Sequence, residues 1–347
     1  MATSRLVHHK RRRNGQSFLR SCLMKKFFAC LLSALVLTVG AVFFTACGND
    51  NDPDTIDVYL PDGTPGLALA EAITEGVDGI DEEIAYHIVS ADEITGFVSN
   101  GSADLAIMPT NAAAKIYGNG AKISLMSTIV FGNLYVMGVG GADTLEELAG
   151  KEVLVTIGTT KAMFDYILSA RGVTCKLTQV SDGKEILNQM KVAAEAGEEC
   201  YGVMGEPQVT ACKKQVTGAV EVVNFQQQWK DLQNSDDSYP QASLVVNTDF
   251  LQENRAAAET FANSLSTNAA WIANTDNIAS FKAALQNKGY TSDTSSLISA
   301  PIDLTTIANC NLGFRKSSEI KDAVKEYVGI LNGGQTLDDN FFYAFTA

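Results

Sequence analysis

One structural plan occurs twice in this chain, and it restricts the folds open to it. In the first copy Ile56-Asp57-Val58-Tyr59-Leu60 reads as a strand, Pro61-Asp62-Gly63-Thr64-Pro65 as a turn and residues 66–75 as a helix. After an intervening unit comes the strand Asp104-Leu105-Ala106-Ile107-Met108, ending at Pro109-Thr110-Asn111. In the second copy Glu152-Val153-Leu154-Val155-Thr156-Ile157 leads through Gly158-Thr159-Thr160 into a helix over 161–170. Its closing strand, Cys200-Tyr201-Gly202-Val203-Met204, ends at Gly205-Glu206-Pro207. Thr64 and Pro109 are 45 residues apart, Thr160 and Pro207 are 47 apart. The strands are continuous apolar runs, the pattern of parallel strands covered on both faces. Thr, Gly and Pro directly after a strand are helix-start residues: hydroxyl caps, and proline at the first helical position. Each copy is therefore a βαβαβ half-domain of α/β class, and two of them predict two lobes with a cleft between.

Between the copies, residues 123–131 and 134–139 predict strands around Gly132-Asn133, a candidate crossover. A return is predicted at Gln241-Ala242-Ser243-Leu244-Val245-Val246-Asn247. Helices are expected over 251–272, 278–288 and 319–331, packed outside the lobes.

The compartment is written at the N-terminus. Residues 1–46 hold eight Lys or Arg and no acid, and Met24-Lys25-Lys26 precedes eighteen uncharged residues, Phe27 to Phe44. Basic residues, an apolar run and then small residues form an export signal. A run of that length also suffices to span a bilayer. Phe44-Thr45-Ala46-Cys47 resembles a bacterial lipobox, which makes Cys47 the expected lipidated first residue and residues 47–54 a tether. Phe44 stands where that pattern prefers an aliphatic residue. Residues 1–23 read as an upstream extension, with Met24 as initiator. Beyond the leader 18 basic residues face 40 acids, a net charge of −22. Such a surface disfavours nucleic acid and anionic membranes. Cys175, Cys200, Cys212 and Cys310 show no zinc spacing, and free thiols are expected, Cys200–Cys212 being the only local disulfide candidate. His87 is the single histidine after the leader, which argues against histidine-dependent triads, histidine metal sites and histidine acid–base catalysis. No metal, no cofactor and no catalytic residue are expected.

Three stretches carry a family resemblance: Gly101-Ser102-Ala103-Asp104-Leu105-Ala106-Ile107-Met108-Pro109, Leu145-Glu146-Glu147-Leu148-Ala149-Gly150-Lys151 and Met204-Gly205-Glu206-Pro207. The chain resembles solute-binding proteins of ABC importers, in the nitrate/sulfonate/taurine group that also includes binders of thiamine-pyrimidine precursors. The resemblance implies a type II periplasmic-binding-protein fold with a discontinuous first lobe, 55–139 and 243–347, around a second lobe, 140–242. It also implies a small-molecule ligand, a permease and an ATPase as partners, and a monomer on the outer face of the cytoplasmic membrane. Two other readings stand beside it. One is an enzyme of the same fold related to thiamine-pyrimidine synthesis, whose cysteine-rich motif is missing here. The other is a surface adhesin.

In open α/β sheets ligands bind where strands end and helices begin, because helix N-termini carry unpaired N–H groups. That places Asp62, Thr64, Thr110, Asn111, Thr159, Thr160 and Glu206 around the predicted cleft. Phe131, Asn133 and Tyr135 in the crossover are candidates for its floor, where aromatic rings stack on a flat ligand. The competing roles are plain: threonines as helix caps, Glu206 as an acid content near a helix start, and Phe131 and Tyr135 as core.

Overall fold

A computed structural model describes residues 55–346; the export signal, Cys47 and the tether lie outside the described residues. The first copy of the repeated plan forms β1 (Thr55–Pro61), α1 (Thr64–Leu67), α2 (Ala70–Glu75), β2 (Glu83–Val89), α3 (Ala91–Ser99), β3 (Leu105–Pro109) and α4 (Thr110–Gly118). β4 (Ile123–Val130) and β5 (Leu134–Val139) follow. The second copy forms β6 (Glu152–Thr156), α5 (Thr159–Arg171), β7 (Lys176–Val180), α6 (Gly183–Ala196), β8 (Cys200–Gly205), α7 (Gln208–Gln215), β9 (Val220–Asn224) and α8 (Phe225–Gln233). After β10 (Ala242–Asn247) come α9 (Thr248–Glu253), α10 (Arg255–Ser264), α11 (Asn268–Ile272), α12 (Thr275–Asn287), α13 (Ser296–Ser299), α14 (Leu304–Asn309), β11 (Leu312–Lys316) and α15 (Ser317–Leu331).

These strands make two sheets. One has the order β11-β4-β10-β3-β1-β2, the other β7-β6-β8-β5-β9. β1 is parallel to β2 and β3, and β6 is parallel to β7 and β8, as the repeat requires. β10 returns antiparallel between β3 and β4. β4 and β5 are buried at every position, which only a strand covered on both faces permits.

The boundary between lobes differs from the sequence expectation. Leu134–Val139, expected with the first lobe, pairs with β8 from Leu134↔Gly205 to Val139↔Cys200 and with β9 on its other side. The chain changes sheets at residues 131–133, and β10 begins at Ala242, inside the expected return and one residue before the expected lobe boundary at 243. Gly132 makes the tight passage possible. Its φ is 83°, and a Cβ there would meet Ser238, Gln226 and Tyr239 at 2.8 to 2.9 Å. The helix expected over 251–272 is three helices, interrupted at Asn254 and at residues 265–267. The helix expected over 66–75 is likewise split between α1 and α2.

One apolar cluster lies wholly in the first lobe, around Leu60, Ile107, Leu244 and Phe281. Another fills the second lobe's α6–α7 side, around Met137, Ile186 and Met190. A third joins the lobes. Its centre is aromatic: Tyr239 stacks on Tyr327 of α15 at 5.7 Å, and Trp229 of α8 meets Tyr327 edge-on at 5.7 Å. α15 thus packs on the first sheet and also on α5 of the second lobe.

Candidate functional site

Thr64 is the node where the two lobes touch. Gly63, with φ 99°, turns the chain out of β1 so that Thr64 opens α1. Only 1% of Thr64 is exposed. Its hydroxyl donates to the Glu206 carbonyl oxygen at 2.8 Å, with the Cys310 sulfur at 3.4 Å as a second acceptor, and it accepts from Asn133 Nδ2 at 2.6 Å. First lobe, second lobe and crossover therefore meet on one oxygen. Asn133 is fixed in turn by Gln241 of the return crossover. Its backbone N–H donates to Gln241 Oε1 at 2.8 Å, and its Oδ1 accepts from Gln241 Nε2 at 2.6 Å. Gly205 leaves room for this, since a Cβ there would lie 3.2 Å from Asn133 Oδ1.

Glu206 sits beside this node at the end of β8 and is 3% exposed. Its carboxylate accepts from the Thr210 N–H at 3.0 Å, the Thr210 hydroxyl at 3.0 Å and, across the lobes, Asn309 Nδ2 at 3.2 Å. Burial pushes the carboxyl pKa up, against the hydrogen bonds from Thr210 and Asn309, because a charged group out of water loses its hydration. Tyr135, also buried, donates to the Asn309 carbonyl at 3.3 Å. The Cys310 thiol is pushed up to about 12 by burial and stays neutral. The Thr306 hydroxyl donates to the Thr210 hydroxyl at 3.2 Å, and Lys214 pairs with Asp303 at 2.5 Å, extending the contact between α14 and α7.

A second cross-lobe contact joins Thr159 at the start of α5 to Asn111 at the start of α4, hydroxyl to Oδ1, at 2.7 Å. Asn332 holds Asn111 from behind by donating to its backbone carbonyl at 2.8 Å.

The structure thus brings Thr64, Asn133, Tyr135 and Glu206 together, and separately Asn111 and Thr159. Thr160 is half-buried beside Thr159, with no hydrogen bond of its own side chain among the described residues. The remaining three are engaged elsewhere. Asp62 accepts from the Ser295 hydroxyl at 2.5 Å and the Ser296 N–H at 2.7 Å, tying α13 down. Thr110 is fully buried in a hydroxyl chain with Ser243 (2.8 Å), which itself meets Thr128 at 2.9 Å. Phe131 lies under the Arg315 guanidinium, 5.5 Å from its ring, and that guanidinium is bound to Asp237 at 2.9 Å. Sequence reasoning missed Gln241, Asn309 and Thr210 as members of the site. The one pointer was to Thr210, which follows shortly after Gly205-Glu206-Pro207.

Among the described residues all four cysteines are free, no group of three or more His, Cys, Asp or Glu is placed to hold a metal ion, and no helix is long and apolar enough to cross a membrane. A surface pocket of about 340 Å³, lined by Ala269, Leu304, Ile307 and Leu312 with Asn311 at its edge, lies on the first lobe.

The fold defines the class. Solved structures similar to this chain include an ABC transporter protein from Parabacteroides distasonis (TM-score 0.67, 18% identity, covering 84% of this chain and 100% of the other). The periplasmic aliphatic sulphonate binding protein SsuA from Escherichia coli is also similar (TM-score 0.57, 12% identity, 81% and 88%). So is the periplasmic nitrate-binding protein NrtA from Synechocystis (TM-score 0.52, 16% identity, 83% and 74%). No family model and no curated protein matches the sequence. The chain has the type II periplasmic-binding-protein fold that the resemblance implies, two βαβ lobes joined by crossover strands.

Proposed function

We propose that the chain is the extracytoplasmic solute-binding component of an ABC importer, a clamp that captures a small polar molecule between its lobes. The observation that carries this reading is the node at Thr64. The Glu206 carbonyl of the second lobe, the Cys310 thiol of the first and the Asn133 amide of the crossover converge on one buried oxygen, so closure of the lobes and formation of the polar site are one event. The groups that meet are hydrogen-bond donors and acceptors suited to reversible binding, and the similar solved structures include ones named as an ABC transporter, a periplasmic sulphonate binding protein and a periplasmic nitrate-binding protein. A ligand touching Thr64, Asn111, Asn133, Thr159, Thr160 and Glu206 stabilises the closed arrangement through contacts that the open one lacks.

Delivery requires a membrane permease and its ATPase as partners. A monomer held at the outer face of the membrane by lipid on Cys47 suits that task, and mass measurement of membrane-extracted protein beginning at a diacylated Cys47 tests the anchor. Native mass spectrometry of protein purified from cell extract tests the binding reading. The expected result is one small molecule bound and released unchanged. Chemical conversion of that molecule by the protein contradicts the reading and favours an enzyme of this fold.

A further inference from the structure

Resting on that reading, the carboxylate of Glu206 extends it to the chemistry of the ligand. We propose that the captured solute carries a protonated amine that docks on Glu206, and is not an anion lacking an amine, such as nitrate or a simple alkylsulfonate.

The first ground is charge. Glu206 is 3% exposed and lies on the lobe interface, with its backbone carbonyl on Thr64 and its carboxylate on Asn309. Buried carboxylates are ordinarily matched by a cation. None of the ion pairs among the described residues includes Glu206. Lys213, on α7, acts on the Glu206 carboxyl only as the smallest of the influences that lower its pKa, because its ammonium is committed to Glu221 at 2.8 Å, and Lys214 is committed to Asp303 at 2.5 Å. Apart from Lys213, the titratable groups around the carboxylate are Tyr135 and Cys310, which burial pushes up so that they carry no charge at neutral pH. The remaining side chains of the node, Thr64, Asn133, Gln241 and Asn309, are neutral.

The second ground is hydrogen-bond capacity. A carboxylate offers about four acceptor positions. Oε1 takes two donors, the Thr210 hydroxyl and Asn309 Nδ2, whereas Oε2 takes one, the Thr210 N–H. One acceptor position on Oε2 remains for an N–H of the solute. A protonated amine there supplies both the missing charge and the missing donor. An anion without an amine meets an unneutralised carboxylate in a desolvated site.

Matched pairs that differ only in the amine test this. Thermal denaturation is followed for wild type and Glu206→Gln with β-alanine against propionate, taurine against ethanesulfonate, and ethanolamine against ethanol, with nitrate added alone. The expected result is concentration-dependent stabilisation by at least one aminated compound, with its partner weaker by roughly tenfold to a hundredfold, and a similar loss in Glu206→Gln. Should that variant melt early without any solute, the pairs on wild type decide alone. Equal binding by the partner lacking the amine, unchanged binding of the amine by Glu206→Gln, or no stabilisation by any aminated compound overturns the inference. Lobe closure on nitrate or ethanesulfonate, seen by X-ray scattering, removes the amine and leaves the clamp standing. Saturation by any bound solute without closure removes the clamp itself.

Discussion

Replacing Thr64 by valine keeps the shape of the side chain and deletes the oxygen on which the lobes meet. In the closed form the Asn133 amide then loses its acceptor at 2.6 Å and the Glu206 carbonyl its donor at 2.8 Å. Both groups belong to residues less than 5% exposed, so water cannot replace the lost partner while the lobes stay shut. Leaving a buried polar group unsatisfied costs about 1–3 kcal/mol. Two such groups sharing one relaxed site cost about 2–3 kcal/mol, roughly a 30-fold to 150-fold shift from closed to open. In the open form solvent satisfies both. With the bound solute at saturation, Thr64→Val should therefore increase the radius of gyration in small-angle X-ray scattering, whereas Thr64→Ser, which keeps the hydroxyl, should match wild type. The reasoning is refuted if Thr64→Val keeps the wild-type scattering profile while its melting temperature drops by about 5 °C, the size expected for the same loss inside an immobile core. Thr64 would then be part of a static interface and not of a moving one.

Three further outcomes follow from the packing and the titratable groups. Gly202→Ala should cost about 1–3 kcal/mol in urea unfolding, because the added Cβ would come within 2.3 Å of Ile186 where α6 covers β8; a neutral effect would show that this packing is wrong. Burial pushes the Asp104 carboxyl up to about 6 from 3.8. Between those pH values the folded protein holds a proton that the unfolded chain has released, so stability falls as pH rises. Across that window the wild type should lose roughly 1–2 kcal/mol, after allowance for solvent screening, relative to Asp104→Asn, whose amide oxygen can still accept from the Asp57 N–H, and parallel pH profiles would contradict this. Of the four thiols after residue 54, Cys212 and, in the solute-bound protein, Cys310 should resist an aromatic disulfide reagent until the protein unfolds, while the half-buried Cys175 and Cys200 react slowly; rapid labelling of Cys310 at saturating solute would mean that the lobe interface does not close on it.

What the sequence disclosed was the interior of each sheet. β1, β3, β6 and β8 are apolar runs followed by Gly, Thr or Pro, and both their strand character and the helix starts after them follow from composition. The edge strands were harder. β2, β7, β9 and β11 stand at the ends of the two sheets, and all four carry exposed or partly exposed positions along most of their length. Their sequences mix polar and apolar residues without a clean period. Leu134–Val139 was legible as a strand but not as a member of the second sheet, because pairing depends on which way the chain leaves Gly132. In the site, residues directly after strands were legible: Thr64, Asn111, Thr159 and Glu206 meet across the lobes. Asp62 satisfied the same positional rule, yet its carboxylate is taken by Ser295 and Ser296, more than two hundred residues away in sequence. Gln241 and Asn309 were missed because an amide at the end of a loop or short helix has no period and no motif. Only the fold shows that they reach Asn133 and Glu206.

The central claim is that a solute is held by closing two lobes on each other. Small-angle X-ray scattering tests it most directly, across a titration with the small molecule that native mass spectrometry finds on the cell-purified protein. The account predicts a radius of gyration that falls with occupancy and levels off at one molecule per chain. An unchanged radius at full occupancy would contradict it.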